Sequence, residues 1–148
     1  MSDSTADFRE RILRRHLLVG WWGLLLFLSL GIILETLHGF KLGLYLDPAN
    51  KMRRLLWTLS HAHGTLLALM QIALAVSIPH LAKMSEKRLK LTSFCLIDAL
   101  VLLPLGFFLG GINPGEGDPG VGVLLVPVGA AFLLVGVLLA AISATSPK

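Results

Sequence analysis

An all-α integral membrane fold, a bundle of four transmembrane helices with both termini in the cytoplasm, is predicted by three features of this sequence. Of the 148 residues, 55% are hydrophobic and only 15% charged, against roughly 45–50% and about 25% in soluble domains. The apolar residues fall into four runs, each near the ~20 residues that cross a bilayer core as a helix. Lys and Arg gather in alternate connections. The composition excludes disorder, which needs a polar, charged chain. The lone Cys95 excludes an intrachain disulfide framework. Ten-residue alternating segments, which a β-barrel would require, are absent.

The first run, Leu17 to Leu34, has no charge before Glu35. It exceeds a typical signal-peptide core and is followed by no small-residue cleavage site, so it is expected to stay as a permanent helix. The second runs from Leu55 to Ala82 between Arg54 and Lys83, the third from Leu91 to about Gly111 with one carboxylate, Asp98. The fourth spans Val121 to about Ala144 without charge. The expected helices cover about 14–38, 55–82, 89–111 and 121–144 of one domain, 1–148, behind a cytoplasmic arm, 1–13. Arg9, Arg11, Arg14, Arg15, Lys83, Lys87, Arg88, Lys90 and Lys148 lie on one side, Lys41, Lys51, Arg53 and Arg54 on the other. Positive-inside places both termini in the cytoplasm. The basic balance is accounted for by topology and anionic membrane lipid, so no nucleic-acid partner is expected.

Gly122, Gly129 and Gly136, continued by Ser143, recur every seven residues of the fourth helix and form one nearly straight stripe. Small residues let helices approach closely in lipid. Packing within the chain is the first expectation, a subunit contact the second. Pro104 and Pro127 are expected to kink the third and fourth helices.

Polar side chains at membrane depth are costly, roughly 2.5–3.5 kcal/mol for an Asp at a helix centre, and are functional candidates by default. His61 and His63 are two residues apart, about 200° around a helix, and so face opposite ways. Around His61 lie Trp57, Gly64, Thr65, Ala68 and Ala75, mostly small; around His63 lie Leu59, Leu66, Leu67 and Met70. A bulky planar ligand suits the small-residue bay, which makes His61 the better metal ligand. Gly64, Thr65 and Ala68 would line the bay, and His63 takes a hydrogen-bonded or lipid-facing role. Asp98 is the carboxylate deepest in a helix, a candidate hydrogen-bonding catalyst or relay, or else a tie to Gln71 at similar depth. Glu35-x-x-His38 has the spacing of di-metal bundles, but in a single copy at a helix end, where a solvated interfacial pair is expected. His16 and His80 are expected at the cytoplasmic interface, and the carboxylates of the 113–120 Gly/Pro cluster in water. Hydrolytic triads, P-loops, GxGxxG and CxxC motifs are absent.

Trp57-Thr-Leu-Ser-His61, with Pro79 eighteen residues on and Leu96-Ile-Asp98 ending thirty-seven on, resembles styrene oxide isomerases, which are similar to hydroxylaminobenzene mutases. His16, His38-Gly-Phe-Lys and Gly117-Asp-Pro-Gly120 extend the likeness over most of the chain. The resemblance implies a homotrimer binding haem b, its iron held by His61, with Asp98 in the active site. Ferric haem would act as a Lewis acid, opening a small lipophilic epoxide or related compound to a carbonyl product without net redox. Two family positions differ: the active-site asparagine six residues after the histidine is Leu67 here, and the tyrosine eight after the aspartate is Gly106. The substrate therefore stays open, and mutase-type chemistry with it. A non-enzymatic haem or redox protein, and a structural membrane subunit without cofactor, stand as alternatives.

Overall fold

The computed structural model describes residues 3–46, 51–81, 84–115 and 117–145, with the side chains of Asp3 and Ser4 left aside. Lys83, Glu116 and Lys148, to which sidedness or solvation was assigned above, lie outside the described residues. Five α-helices follow in order: α1 Asp3–Gly39, α2 Gly43–Leu46, α3 Lys51–Ser77, α4 Glu86–Gly110 and α5 Leu125–Thr145. Short 3-10 turns, Ile78–His80 and Val121–Leu124, close α3 and open α5. Four of these segments are long and apolar enough to cross a membrane, and the chain is an integral membrane protein of all-α class. Four passes bring Asp3 and Thr145 to one end of the molecule.

The spans match the hydropathy runs, but α1 begins eleven residues before the expected 14, so most of the expected arm is helix. The reason is Arg9. Its side chain is buried, and its guanidinium donates to the carbonyls of Ile78 (3.1 Å), Leu81 (2.6 Å) and Met84 (3.0 Å). Those carbonyls belong to the turn where Pro79 ends α3, and a helix C-terminus leaves such acceptors without intrahelical donors. Arg53 performs the same service at the far end, donating to Gly111, Ile112 and Leu44. Each Arg therefore ties its helix to carbonyls at the end of a neighbouring one.

The helices form a row: α1 packs on α3, α3 on α4, and α4 on α5, with α1 touching α4 only lightly. Because hydrophobicity does not drive helices together in lipid, close approach must be built in by small residues. A Cβ added at Gly20 would meet the Ala68 carbonyl at 3.0 Å, and one at Gly23 the Ala68 methyl at 3.1 Å, so α1 lies nearly backbone-to-backbone on α3. The glycine stripe does the same on α4: Gly122, in the 3-10 turn that opens α5, lies against Leu109 and Gly110, and on α5 itself Gly129 lies against Leu102 and Leu103 and Gly136 against Cys95 and Leu96. The expected intrachain packing is what the stripe performs. Pro127 stands in the first turn of α5, where amide hydrogens have no intrahelical acceptor, so it removes no bond that a kink would need. Pro104 lies inside α4, and its carbonyl accepts the Ser60 hydroxyl at 2.8 Å.

His16 is not interfacial. It is fully buried on α1, its Nδ1–H donating to Gln71 Oε1 at 2.6 Å and its Nε2 accepting the Ser93 hydroxyl at 2.8 Å. Gln71 in turn donates its Nε2–H to the Leu96 carbonyl at 2.7 Å. One neutral imidazole and one amide thus join α1, α3 and α4. With α1 starting at Asp3, residue 16 stands in its fourth turn, well inside the packed row. His80 is exposed, as expected.

Gly129→Ala is expected to destabilise the protein by about 1–3 kcal/mol through overpacking, because the new methyl would sit 2.8 Å from the Leu103 amide nitrogen. Gly39→Ala, with nothing within 4 Å of the new atom, should leave stability unchanged. Detergent-solubilised unfolding curves of the two variants decide; equal midpoints would count against this packing.

Candidate functional site

His61 sits on the α3 face that meets α1. Its Nδ1–H donates to the Phe27 carbonyl at 2.7 Å, and its ring lies flat into the space left by Gly31. A Cβ at Gly31 would come within 2.7 Å of Nδ1 and 2.9 Å of Nε2. The backbone acceptor fixes the tautomer of a neutral ring, leaving Nε2 as a lone pair, the form a metal ligand needs. Among the described residues Nε2 has no hydrogen-bond partner. One turn further, Thr65 Oγ1 is buried without a partner as well.

His63 points elsewhere, as the 200° offset requires. Its Nδ1–H donates to the Leu59 carbonyl of its own helix at 2.9 Å, and its ring tilts against Phe107 of α4 with centroids 4.9 Å apart.

The small-residue bay is different from the expectation. The Phe27 ring fills the notch at Gly64, and Ala68 is fully buried beneath Gly23. Gly64 and Ala68 therefore serve the approach of α1 and cannot line a bound group. Small residues on one helix signal that something comes close; here it is the neighbouring helix. Thr65 alone of the three keeps a free polar atom on the His61 face.

Asp98 does not bond Gln71, whose amide is committed to His16 and Leu96. Ser93 faces His16, and Asp98 lies five residues on, about 140° around α4 from that face. Its Oδ2 is buried without a hydrogen-bond partner. Nor does the fold bring Asp98 to His61 within one chain. The cross-bonds Gln71–Leu96 and Ser60–Pro104 set the α3–α4 register, and by it Asp98 lies about 10 Å along the helix axis from the level of His61. The family-type polar positions are packing positions here: Leu67 is 1% exposed in the core with Leu100 and Leu103, and Gly106 is covered by Val126.

At the far end an aromatic ladder runs from His38 through Tyr45 and Trp57 to Phe108, with centroid steps of 6.4, 6.4 and 5.6 Å. Tyr45 shares a 3.2 Å hydroxyl contact with Thr58, and Trp57 donates its indole N–H to the Phe108 carbonyl. Beside the ladder opens a cavity of about 530 Å³ lined by His38, Tyr45, Lys51, Arg54 and Thr58. Glu35 and His38 are exposed, as expected of an interfacial pair. A second cavity, about 720 Å³ and apolar, lies between α1 and α4, with Phe27, Ser60, Pro104 and Phe108 in its wall. The sequence offered no cue to either cavity, since both depend on how the helices are offset.

Among the described residues no three His, Cys, Asp or Glu side chains cluster in a way that could hold a metal ion. A single imidazole can hold iron when a macrocycle supplies the equatorial donors, as in haem. The donor set at His61, with the orphaned Thr65 hydroxyl beside it, fits such a group; Gly64 and Ala68 do not contribute. Comparisons of the chain with protein-family models, curated proteins and solved structures find no match. Fold and site together define a four-span membrane protein with two oriented imidazoles on α3, His61 tied to the neighbouring helix and His63 to its own, of which His61 alone has a buried, unpartnered hydroxyl, that of Thr65, one turn away.

Gly31→Ala should push the His61 ring out of its seat and break the Phe27 bond. Imidazole ¹⁵N spectra are expected to report a pure Nδ1–H tautomer in the wild type and a mixture in the variant. An Nε2–H wild type would contradict the geometry.

Proposed function

We propose that this chain is a haem-b-dependent membrane isomerase of the bacterial inner membrane, acting on a small lipophilic epoxide or a related oxygenated compound. The observation that carries the proposal is His61 together with Thr65: the His61 Nδ1–H is held by the Phe27 carbonyl of the neighbouring helix, its Nε2 has no partner among the described residues, and a buried, unpartnered hydroxyl stands one turn away. Bound there, ferric haem would supply an open Lewis-acid position that polarises the substrate oxygen toward a carbonyl isomer without net redox.

The chain's own residues supply orientation and dryness. The Phe27 carbonyl fixes the ring and raises its basicity as a ligand. Gly31 lets the ring lie against α1, so the imidazole cannot rotate away. Thr65 offers a hydroxyl to whatever lies against His61. The Phe27 ring, seated at Gly64, shields the His61 face of α3 from water. Asp98 belongs to this site only across an interface between copies, where its buried, unpartnered Oδ2 would orient substrate by a hydrogen bond. The homotrimer that the resemblance implies would supply such an interface. The exposed faces of α1 and α5 leave room for it, since the apolar window of α5 is only 11% buried.

A second reading, a membrane haem protein without rearrangement chemistry, is favoured by Leu67 and Gly106, which put packing where the family-type sites have polar groups.

Absorption spectroscopy of protein purified after haem-supplemented expression separates these. A Soret band is expected in the wild type and in His63→Ala but not in His61→Ala. An epoxide panel should perturb the band and yield a carbonyl isomer. Asp98→Asn should keep the band while lowering kcat at least about tenfold, the loss of a transition-state hydrogen bond. Six-coordinate iron indifferent to every epoxide would select the second reading; colourless wild-type protein would sink both.

A further inference from the structure

We infer that Lys51 and Arg54 form an anion subsite for the two propionate carboxylates of a haem whose iron is held by His61. This rests on the haem reading given above and goes beyond it by assigning the carboxylate partners. The placement follows from the α1–α3 seam. Gly31 on α1 touches His61 on α3. One heptad outward along each antiparallel helix, on nearly the same face, stand His38 and Arg54. Both line the 530 Å³ cavity, as do Lys51 and Thr58. The cavity therefore opens on the seam about 10 Å outward from His61, the kind of reach that separates a porphyrin's centre from its acidic edge.

The charges are free for the task. Arg9 and Arg53 spend their guanidinium groups on helix-end carbonyls. Lys51 and Arg54 have no hydrogen bond or ion pair among the described residues. Arg54 offers a planar fork suited to a carboxylate, and Lys51 a mobile point charge. Thr58 lies between them and His61, and Thr65 one turn beyond it, so a polar line runs along α3 at positions 54, 58, 61 and 65, all within about 60° of one another. A ligand with an acidic rim, an apolar body and a metal centre matches it end to end.

The test compares hemin with its dimethyl ester, which keeps iron and ring but has no free carboxylates, by titration into apo-protein in neutral detergent, read at the Soret band. Wild type should bind hemin about tenfold or more tightly than the ester, the scale of a charge-assisted contact. Lys51→Met/Arg54→Met should bind hemin as weakly as the ester while its ester affinity stays at the wild-type value, which also shows the variant folded. Lys51→Arg/Arg54→Lys should restore the preference. Equal affinity of wild type for hemin and ester overturns the subsite and leaves the haem reading standing. Loss of both ligands alike in the Met variant also overturns it. A wild type that binds neither porphyrin removes the haem reading, and this inference with it.

Discussion

Everything in this fold depends on how closely α1 can lie on α3. Lipid tails are as apolar as leucine, so helices in a membrane are held by contact and polar ties. Gly20, Gly23, Gly31 and Gly64 remove the side chains that would keep the two backbones apart. That approach does three things at once. It seats Phe27 in the notch at Gly64, gives His61 a backbone carbonyl to bond, and brings His16 within reach of Gln71 and Ser93. A bulkier residue at any of these glycines would move α1 outward and loosen all three.

Polar groups at membrane depth divide by whether their bonding is complete. His16, Gln71, Ser93 and Ser60 are buried and partnered, and their work is to fix helix register. Arg9 and Arg53 saturate helix ends. Thr65 Oγ1, Thr92 Oγ1 and Asp98 Oδ2 are buried without partners, and His61 Nε2 has no partner among the described residues. Leaving a buried polar atom unpaired costs roughly 1–3 kcal/mol, a cost that stability alone gives no reason to keep. Thr65 and His61 sit one turn apart on one face of α3, which is why the proposed site is centred there and not on the His16 network, although that network is more deeply buried.

The four spans and the α5 stripe were legible because hydropathy and a seven-residue period are properties of one helix at a time. What involves two helices was not. Asp98 and Gln71 were matched by depth, which counting residues gives well; the angle around α4, which counting across a connection cannot give, turns them apart. The bay at Gly64 and Ala68 was read as room for a ligand, since a helix's own sequence shows small residues but not which neighbour presses on them. Arg9 is read from the sequence only as a charge on one side of the membrane, because the carbonyls it binds are some seventy residues away in the chain.

The offset between His61 and Asp98 bears on what kind of catalyst this chain could be. Both lie at membrane depth, yet His61 is on the α1-facing side of α3 and Asp98 about 140° around α4 from the face that meets His16, about 10 Å apart in level. A single chain so arranged cannot apply both groups to one small substrate. Effective catalysis needs reacting groups held near contact distance, so an isomerase that used both His61 and Asp98 would have to complete its site from a second copy. A protein that only holds haem has no such need, because the imidazole and the basic cavity share one seam. On the proposed reading, assembly state and reaction type are one question for this fold: a rearrangement that used Asp98 beside His61 would require the interface, and haem held by His61 alone would not.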